Sequence, residues 1–261
     1  MVERELEGRV VVVFGAGSSG TGLSNGEAAA LAYAAAGAVV ATVDREAAEA
    51  DRVARAIVDG GGRALPVTAD VTVEADVAAA VGAVVAALGT PHVLHNNVGA
   101  PVLGDVTEVD LDAWNRGVAL NLTSAYLTCR HVVPLMERAR RGAIVNVSSV
   151  AAIRDTGYVY PVYSAAKAGL DQLTVSLALT HARVGIRANA VLPGLIETPL
   201  VTQQVTSDPA ALAARHARSP TGRMGTPQDV ANAAVFLASD RAAYVNGVCL
   251  PVDGGLSARC G

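Results

Sequence analysis

Tyr163 and Lys167 stand four residues apart in the stretch Tyr163-Ser164-Ala165-Ala166-Lys167. On a helix that spacing puts a phenol and an ammonium on one face. An isolated tyrosine has a pKa of about 10, and burial in a cleft raises it further by disfavouring the phenolate. An ammonium roughly 5 Å away, at an effective dielectric constant of about 20, contributes on the order of 3 kcal/mol toward the phenolate, about two pK units, which offsets modest desolvation. The pair is therefore a candidate acid and base. By itself, a Tyr and a Lys at this spacing are more often a ring packed beside a snorkelling amine, so the elements around them must decide.

Those elements alternate. Arg9-Val10-Val11-Val12-Val13-Phe14 is a β-branched run of strand length, followed by the glycine-rich segment Gly15 to Gly26. An alanine-rich helical segment then ends at Gly37, and a second apolar run, Val39 to Val43, ends in Asp44. Strand, glycine loop, helix, strand and acid is the dinucleotide-binding order, in which backbone N–H groups at a helix N-terminus receive a pyrophosphate. The pattern continues with helices expected at 46–58, 73–88, 114–138 and 228–238, another carrying Tyr163 and Lys167, and strands at 64–68, 92–95, 143–147, 186–192 and 248–252. Residues 197–224 break the rhythm with Pro199, Pro209 and Pro220 and are expected to form a partly helical lid over a site. With no linker or repeat, residues 1–261 are expected to form a single α/β domain, a Rossmann-type doubly wound parallel sheet flanked by helices.

The chain has 261 residues, 51% of them hydrophobic but only 3% aromatic, so Ala, Val and Leu must fill the core. A net charge of −4 without a basic run argues against a nucleic-acid or acidic-membrane binder. Cys129, Cys249 and Cys260 are scattered and odd in number, which suggests neither disulfide nor zinc site and fits a reducing cytoplasm. The charged N-terminus and the break at Gly15 give no expectation of a signal peptide or membrane span. His92 and His95 lack a third ligand nearby, so no metal is expected.

From Arg9 to Gly255 the chain resembles the short-chain dehydrogenase/reductase family in its compact form. The likeness rests on the glycine loop, Asn96-Asn97-Val98-Gly99, Asn121, Ser148-Ser149, Tyr163 with Lys167, Pro193-Gly194 with Thr198, and Val252-Asp253-Gly254-Gly255. It implies an oxidoreductase that interconverts a secondary alcohol and a ketone by hydride transfer. Tyr163 would be the general acid and base, Lys167 would lower its pKa and hold the nicotinamide ribose, Ser149 would polarise the substrate oxygen, and Asn121 would support a proton relay. The resemblance also implies adenine contacts at Asp70 and Val71, further cofactor contacts at Asn97, Gly99, Pro193 and Gly194, an approach of Ile196 and Thr198 to the nicotinamide carboxamide, and a homotetramer.

Two departures from the family pattern matter. Phe14 replaces the usual Thr, and the glycine loop is about five residues longer, with Gly26 matching the last family glycine. Gly15, Gly17, Ser18, Asn25 and Gly26 are then expected to line the pyrophosphate while Gly20 to Leu23 bulge outward. Tyr160, seven residues before Lys167, has the spacing of the family's enoyl reductases, an alternative that Ser149 and the helix-disfavouring Pro161 oppose. A nucleotide-binding sensor without catalysis is the other alternative, opposed by retention of Asn121, Ser149, Tyr163 and Lys167. Asp44 would accept hydrogen bonds from the adenosine ribose and repel a 2′-phosphate, favouring NAD, although neighbouring Arg45 could attract one. The pocket is expected to be mostly apolar or small, which suits a neutral or weakly polar alcohol or ketone, cyclic ones included.

Overall fold

The computed structural model describes residues 4–18, 20, 22–199 and 209–259. Seven strands form one sheet in the order β3-β2-β1-β4-β5-β6-β7. They are β1 (Val10–Phe14), β2 (Val39–Asp44), β3 (Arg63–Thr68), β4 (Val93–Asn96), β5 (Gly142–Val147), β6 (Ile186–Pro193) and β7 (Cys249–Val252). All six pairings are parallel. The chain runs outward from β1 to β3 and then returns to place β4 on the other side of β1. This reversal opens a crevice at the carboxyl ends of β1 and β4, where open α/β sheets bind ligands.

Helices α1 (Asn25–Ala35), α2 (Ala47–Asp59) and α8 (Pro227–Ala238) cover one face, while α3 (Glu74–Leu88), α5 (Ser124–Ala139) and α6 (Pro161–His181) cover the other. Strand β1 shows why two cores form. Val11 and Val13 belong to the first core, and Val10, Val12 and Phe14 to the second, the two-residue alternation of a strand buried on both faces. The expected bounds hold to within a residue or two, except before Trp114. There α4 (Leu111–Val118) begins earlier because Asp110 caps it, its side chain accepting the Ala113 N–H at 2.7 Å. A π turn, Ala119–Thr123, joins α4 to α5, so the expected long helix contains an interruption. Pro66 in β3 and Pro251 in β7 place a proline on each outermost strand.

The polar excursion after β6 begins and ends at a backbone clasp. Ile196 bridges Gly225, the Glu197 N–H donates to the Gly225 carbonyl at 2.9 Å, and the Gly225 N–H donates to the Leu195 carbonyl at 2.9 Å. Within it lies α7 (Pro209–Arg218), while residues 200–208 of the expected lid fall outside the described residues. No described helix is long and apolar enough to cross a membrane.

Candidate active site

Helix α6 starts where Pro161 permits it. Tyr160 precedes the proline with φ −153° and ψ 64°, outside helical geometry, and Pro161 takes the first helical position, where a missing N–H costs nothing. Two turns of helix then bring Tyr163 and Lys167 to one face, above the carboxyl end of β5. There Ser149 opens a short 3₁₀ turn, its hydroxyl accepting the Ala151 N–H at 3.1 Å. That hydroxyl also lies near enough to the Tyr163 phenol to favour its ionised form. Tyr160 turns its phenol away to Thr156 and presents its ring edge-on to Tyr163, with centroids 5.3 Å apart.

The charge balance differs from the sequence expectation. Loss of water contact pushes the Tyr163 phenol up to about 12, with the nearby Ser149 hydroxyl acting the other way. Lysine does not reverse this, because its own burial pushes it down to about 8 and its Nζ donates to the Val147 carbonyl at 2.9 Å. Nζ lies 5.8 Å from the centre of the Tyr163 ring. One turn further along, burial raises the Asp171 carboxyl, with the Lys167 charge acting the other way. Neither Asp171 oxygen has a hydrogen-bond partner among the described residues. This buried carboxylate helps Lys167 keep its proton. Its spacing from Lys167 was visible in the sequence, but its burial was not.

Asn121 sits in the π turn and is buried. Its Oδ1 accepts the Ala100 N–H at 3.1 Å, while its Nδ2 donates to the Ala100 carbonyl at 2.9 Å and to the Gly117 carbonyl at 3.0 Å. The side chain thus ties the helix to the segment after β4. Gly99 explains how closely these parts meet. A Cβ there would stand 2.7 Å from both the Asn121 Oδ1 and the Lys167 Nζ.

The glycine loop is organised by carboxylates. The Gly17 N–H donates to Asp44 Oδ2 at 2.9 Å, and the Ser18 N–H donates to Glu49 Oε2 at 2.8 Å. Glu49 is tied in turn to Arg52, whose guanidinium makes a bidentate pair with buried Glu27 at 2.7 and 2.8 Å. The expectation that Gly17 and Ser18 face a pyrophosphate therefore meets amides already committed to side chains. Glu49 carried no sequence signal, since its bond to Ser18 joins positions 31 residues apart. At the other end of the loop, Ser24 caps α1 by accepting the Glu27 N–H at 3.0 Å and donates to the Gly17 carbonyl at 2.7 Å. A Cβ on Gly26 would fall 1.9 Å from the Gly15 carbonyl oxygen, so only glycine fits the approach of α1 to β1. The buried Asn25 Oδ1 has no partner among the described residues. Gly22 and Leu23 are exposed, on the outward side expected for the bulge.

The remaining residues expected at the cofactor make local contacts of their own. Asn97 Nδ2 donates to the Gly15 carbonyl at 2.9 Å. Asp70 accepts from the Thr72 amide at 2.8 Å and hydroxyl at 2.6 Å, which hold its carboxyl below the usual range, and Val71 is buried beside it. Arg45 is exposed and pairs with Glu46 at 3.5 Å. Gly194, after Pro193, donates its N–H to the Val252 carbonyl at 3.0 Å, Ile196 is buried at the clasp, and the Thr198 N–H donates to the Ile196 carbonyl at 3.0 Å. The histidines serve other ends. His92 Nδ1 accepts the Val10 N–H at 3.0 Å, His95 Nδ1 meets the Tyr33 hydroxyl at 3.0 Å, and His216 Nδ1 accepts the Met224 N–H at 3.0 Å.

A phenol, a serine hydroxyl and an ammonium converging beside a crevice at a topological switch point form an arrangement suited to moving a proton while a bound dinucleotide handles a hydride. Known proteins agree with this geometry. Residues 20–257 match the family model described as enoyl-(acyl carrier protein) reductase. The chain is 44% identical over 252 residues to cis-4-hydroxycyclohexanecarboxylate dehydrogenase of Sinomonas cyclohexanicum, covering 96% of this chain and 97% of that one. It is 38% identical over 257 residues to 3beta-hydroxysteroid dehydrogenase 1 of Eggerthella lenta, covering 97% and 95%. A solved structure described as a short-chain dehydrogenase/reductase from Burkholderia xenovorans superposes with a TM-score of 0.93 at 43% identity, covering 98% of this chain and 99% of that one. With the fold, the crevice and these relatives in agreement, the chain belongs to the short-chain dehydrogenase/reductases and is an oxidoreductase of the kind that interconverts alcohols and ketones.

Proposed function

We propose that the chain uses NAD(H), with Tyr163 as the proton-transfer group, to interconvert a ring-borne secondary alcohol and its ketone. The observation that carries this reading is the meeting of Ser149, Tyr163 and Lys167 at the carboxyl end of β5, where the Lys167 Nζ donates to the Val147 carbonyl at 2.9 Å and lies 5.8 Å from the Tyr163 ring centre, with the Tyr160 phenol turned to Thr156. When bound, the nicotinamide supplies the acceptor or donor of the hydride. The residues present fit a dinucleotide. Asn25 and Gly26 at the start of α1 would face its pyrophosphate, Asp44 its adenosine ribose, and Lys167 its nicotinamide ribose.

With its pKa near 12, Tyr163 holds its proton at neutral pH and is set to donate to a ketone oxygen. In the reverse direction the phenolate must be stabilised, and the Lys167 ammonium, now donating to the Val147 carbonyl, is the charge that has to come to bear. Ser149 donates a hydrogen bond as negative charge develops on the substrate oxygen. Asn121 acts as a positioning residue that fixes the Ala100 segment and the π turn. Cofactor choice is supported by the carboxylates of Asp44 and Glu49 beside the loop, which oppose a 2′-phosphate. The excursion between Glu197 and Met224 serves as the substrate lid. A cytoplasmic homotetramer is part of the reading, and exposed Tyr126 on α5 and Leu179 on α6 supply apolar surface for assembly.

The test is a panel of ring alcohols and ketones, 4-hydroxycyclohexanecarboxylate among them, with NAD and NADP. The expected result is higher kcat/KM with NAD, and a loss of about 10³-fold or more in Tyr163→Phe against less than about tenfold in Tyr160→Phe. Full alcohol oxidation by Tyr163→Phe, or enoyl reduction abolished by Tyr160→Phe, would overturn the assignment.

A further inference from the structure

Beyond Tyr163 the rings of Tyr160 and Tyr158 form a stair. Tyr158 stacks on Tyr160 with centroids 5.8 Å apart and an angle of 13°, and Tyr160 in turn meets Tyr163. Two guanidiniums from α7 converge on the outermost ring, the Cζ of Arg215 at 5.4 Å and that of Arg218 at 5.2 Å from the Tyr158 centroid. Arg218 also donates to the Thr156 carbonyl. Neither arginine has a carboxylate within 4.0 Å among the described residues, whereas Arg52, Arg130, Arg141 and Arg223 all do. Asp155 commits one oxygen to the Gly157 N–H at 2.7 Å. The Nε of Arg215 is buried and has no hydrogen-bond partner among the described residues.

Two like charges on one aromatic ring repel, and a buried guanidinium donor without an acceptor is costly. The ring quadrupole compensates part of this, but an oxyanion would compensate more, since guanidinium and carboxylate match in charge and geometry. We propose that Arg215 and Arg218 receive an anionic oxygen group, a carboxylate or sulfonate, carried by the substrate at the end remote from its hydroxyl. The substrate class becomes a hydroxy acid, in place of the neutral alcohol that the small and apolar sequence of the pocket suggested. This rests on the reading of Tyr163 as the reacting end of the cleft, because the ring stair runs outward from it. An oxyanion could also come from a phosphate of the cofactor, and the experiment separates the two.

The probes are 4-hydroxycyclohexanecarboxylate and 4-hydroxycyclohexanecarboxamide, which share a skeleton and differ by one charge. Wild type is expected to prefer the acid by about tenfold or more in kcat/KM, with Arg215→Gln and Arg218→Gln each cutting that ratio several-fold, mainly through KM. Equal turnover of acid and amide, or a ratio that persists in the double variant, overturns the proposal. So does a ratio that persists while the affinity for NADH falls, which would assign the arginines to a cofactor phosphate. Binding of cyclohexanecarboxylate and cyclohexanecarboxamide to the NADH-saturated enzyme, measured by calorimetry, tests the charge receptor without turnover. A preference for the carboxylate there, with no oxidation of any alcohol, would support the receptor and count against the oxidoreductase reading. No preference there overturns the receptor.

Discussion

Burying an ammonium one helical turn from a phenol sets two desolvation costs against one attraction. Lys167 is driven down to about 8 and Tyr163 up to about 12, so each group is pushed toward its neutral form. The position of Nζ then matters more than its mere presence, and Gly99 controls that position. A methyl at residue 99 would fall 2.7 Å from Nζ and from Asn121 Oδ1, so one of them must move. Gly99→Ala is therefore expected to lose about 10²-fold in kcat/KM, because small misplacements at a reacting centre cost about that much, with little change in melting temperature. Steady-state kinetics beside a thermal melt check this, and activity within about threefold of wild type would refute it. The four-residue spacing of Tyr163 and Lys167 was plain in the sequence. That burial outweighs the lysine charge was not, because spacing along a helix says nothing of the water removed when the helix docks.

At the scale of elements, α5 and α6 are held to the sheet by a buried polar ladder. Asn96 Nδ2 donates to Asn146 Oδ1 at 2.8 Å, Thr128 donates to Asn96 Oδ1 at 2.7 Å, and Asn146 Nδ2 donates to the Thr174 hydroxyl at 2.8 Å. The chain thus joins both helices that flank the site through strands β4 and β5. Asn146→Ala removes the acceptor of one neighbour and the donor of the other, and its expected cost is about 2 to 4 kcal/mol of stability. Urea unfolding measures it, and a loss below about 0.5 kcal/mol would mean that the ladder repacks. The strands were legible because their apolar runs are bounded by glycine and acid, as in Val10 to Phe14 before Gly15. The π turn at Ala119–Thr123 was not, because its residues, Ala-Leu-Asn-Leu-Thr, read like ordinary helix and carry no breaker. Glu49 was missed for a related reason: its partner Ser18 reaches it across the loop and not along a helix.

The molecule as a whole carries a titration that catalysis does not need. His95 is fully buried against Tyr33, and desolvation lowers it from the usual range to about 3. Between about 6.5 and 3 the unfolded chain binds this proton and the folded chain does not, so stability is complete above that window and falls as pH falls through it. At about pH 4.5 the loss from this one group is on the order of 3 kcal/mol. His95→Asn, which does not titrate, is expected to lose that much less between about pH 7.5 and pH 4.5 in urea unfolding; equal losses in both proteins would sink the account.

The same scale gives meaning to the prolines of the outermost strands. A sheet built from runs such as Val10 to Val13 offers, at each margin, a row of amides and carbonyls onto which another chain could add. Pro66 and Pro251 each strike one amide hydrogen from those margins. Copies of the molecule are thereby discouraged from joining sheet to sheet into an open-ended fibre. Contact through the helical faces, by contrast, can close into a finite assembly without adding strands to the sheet.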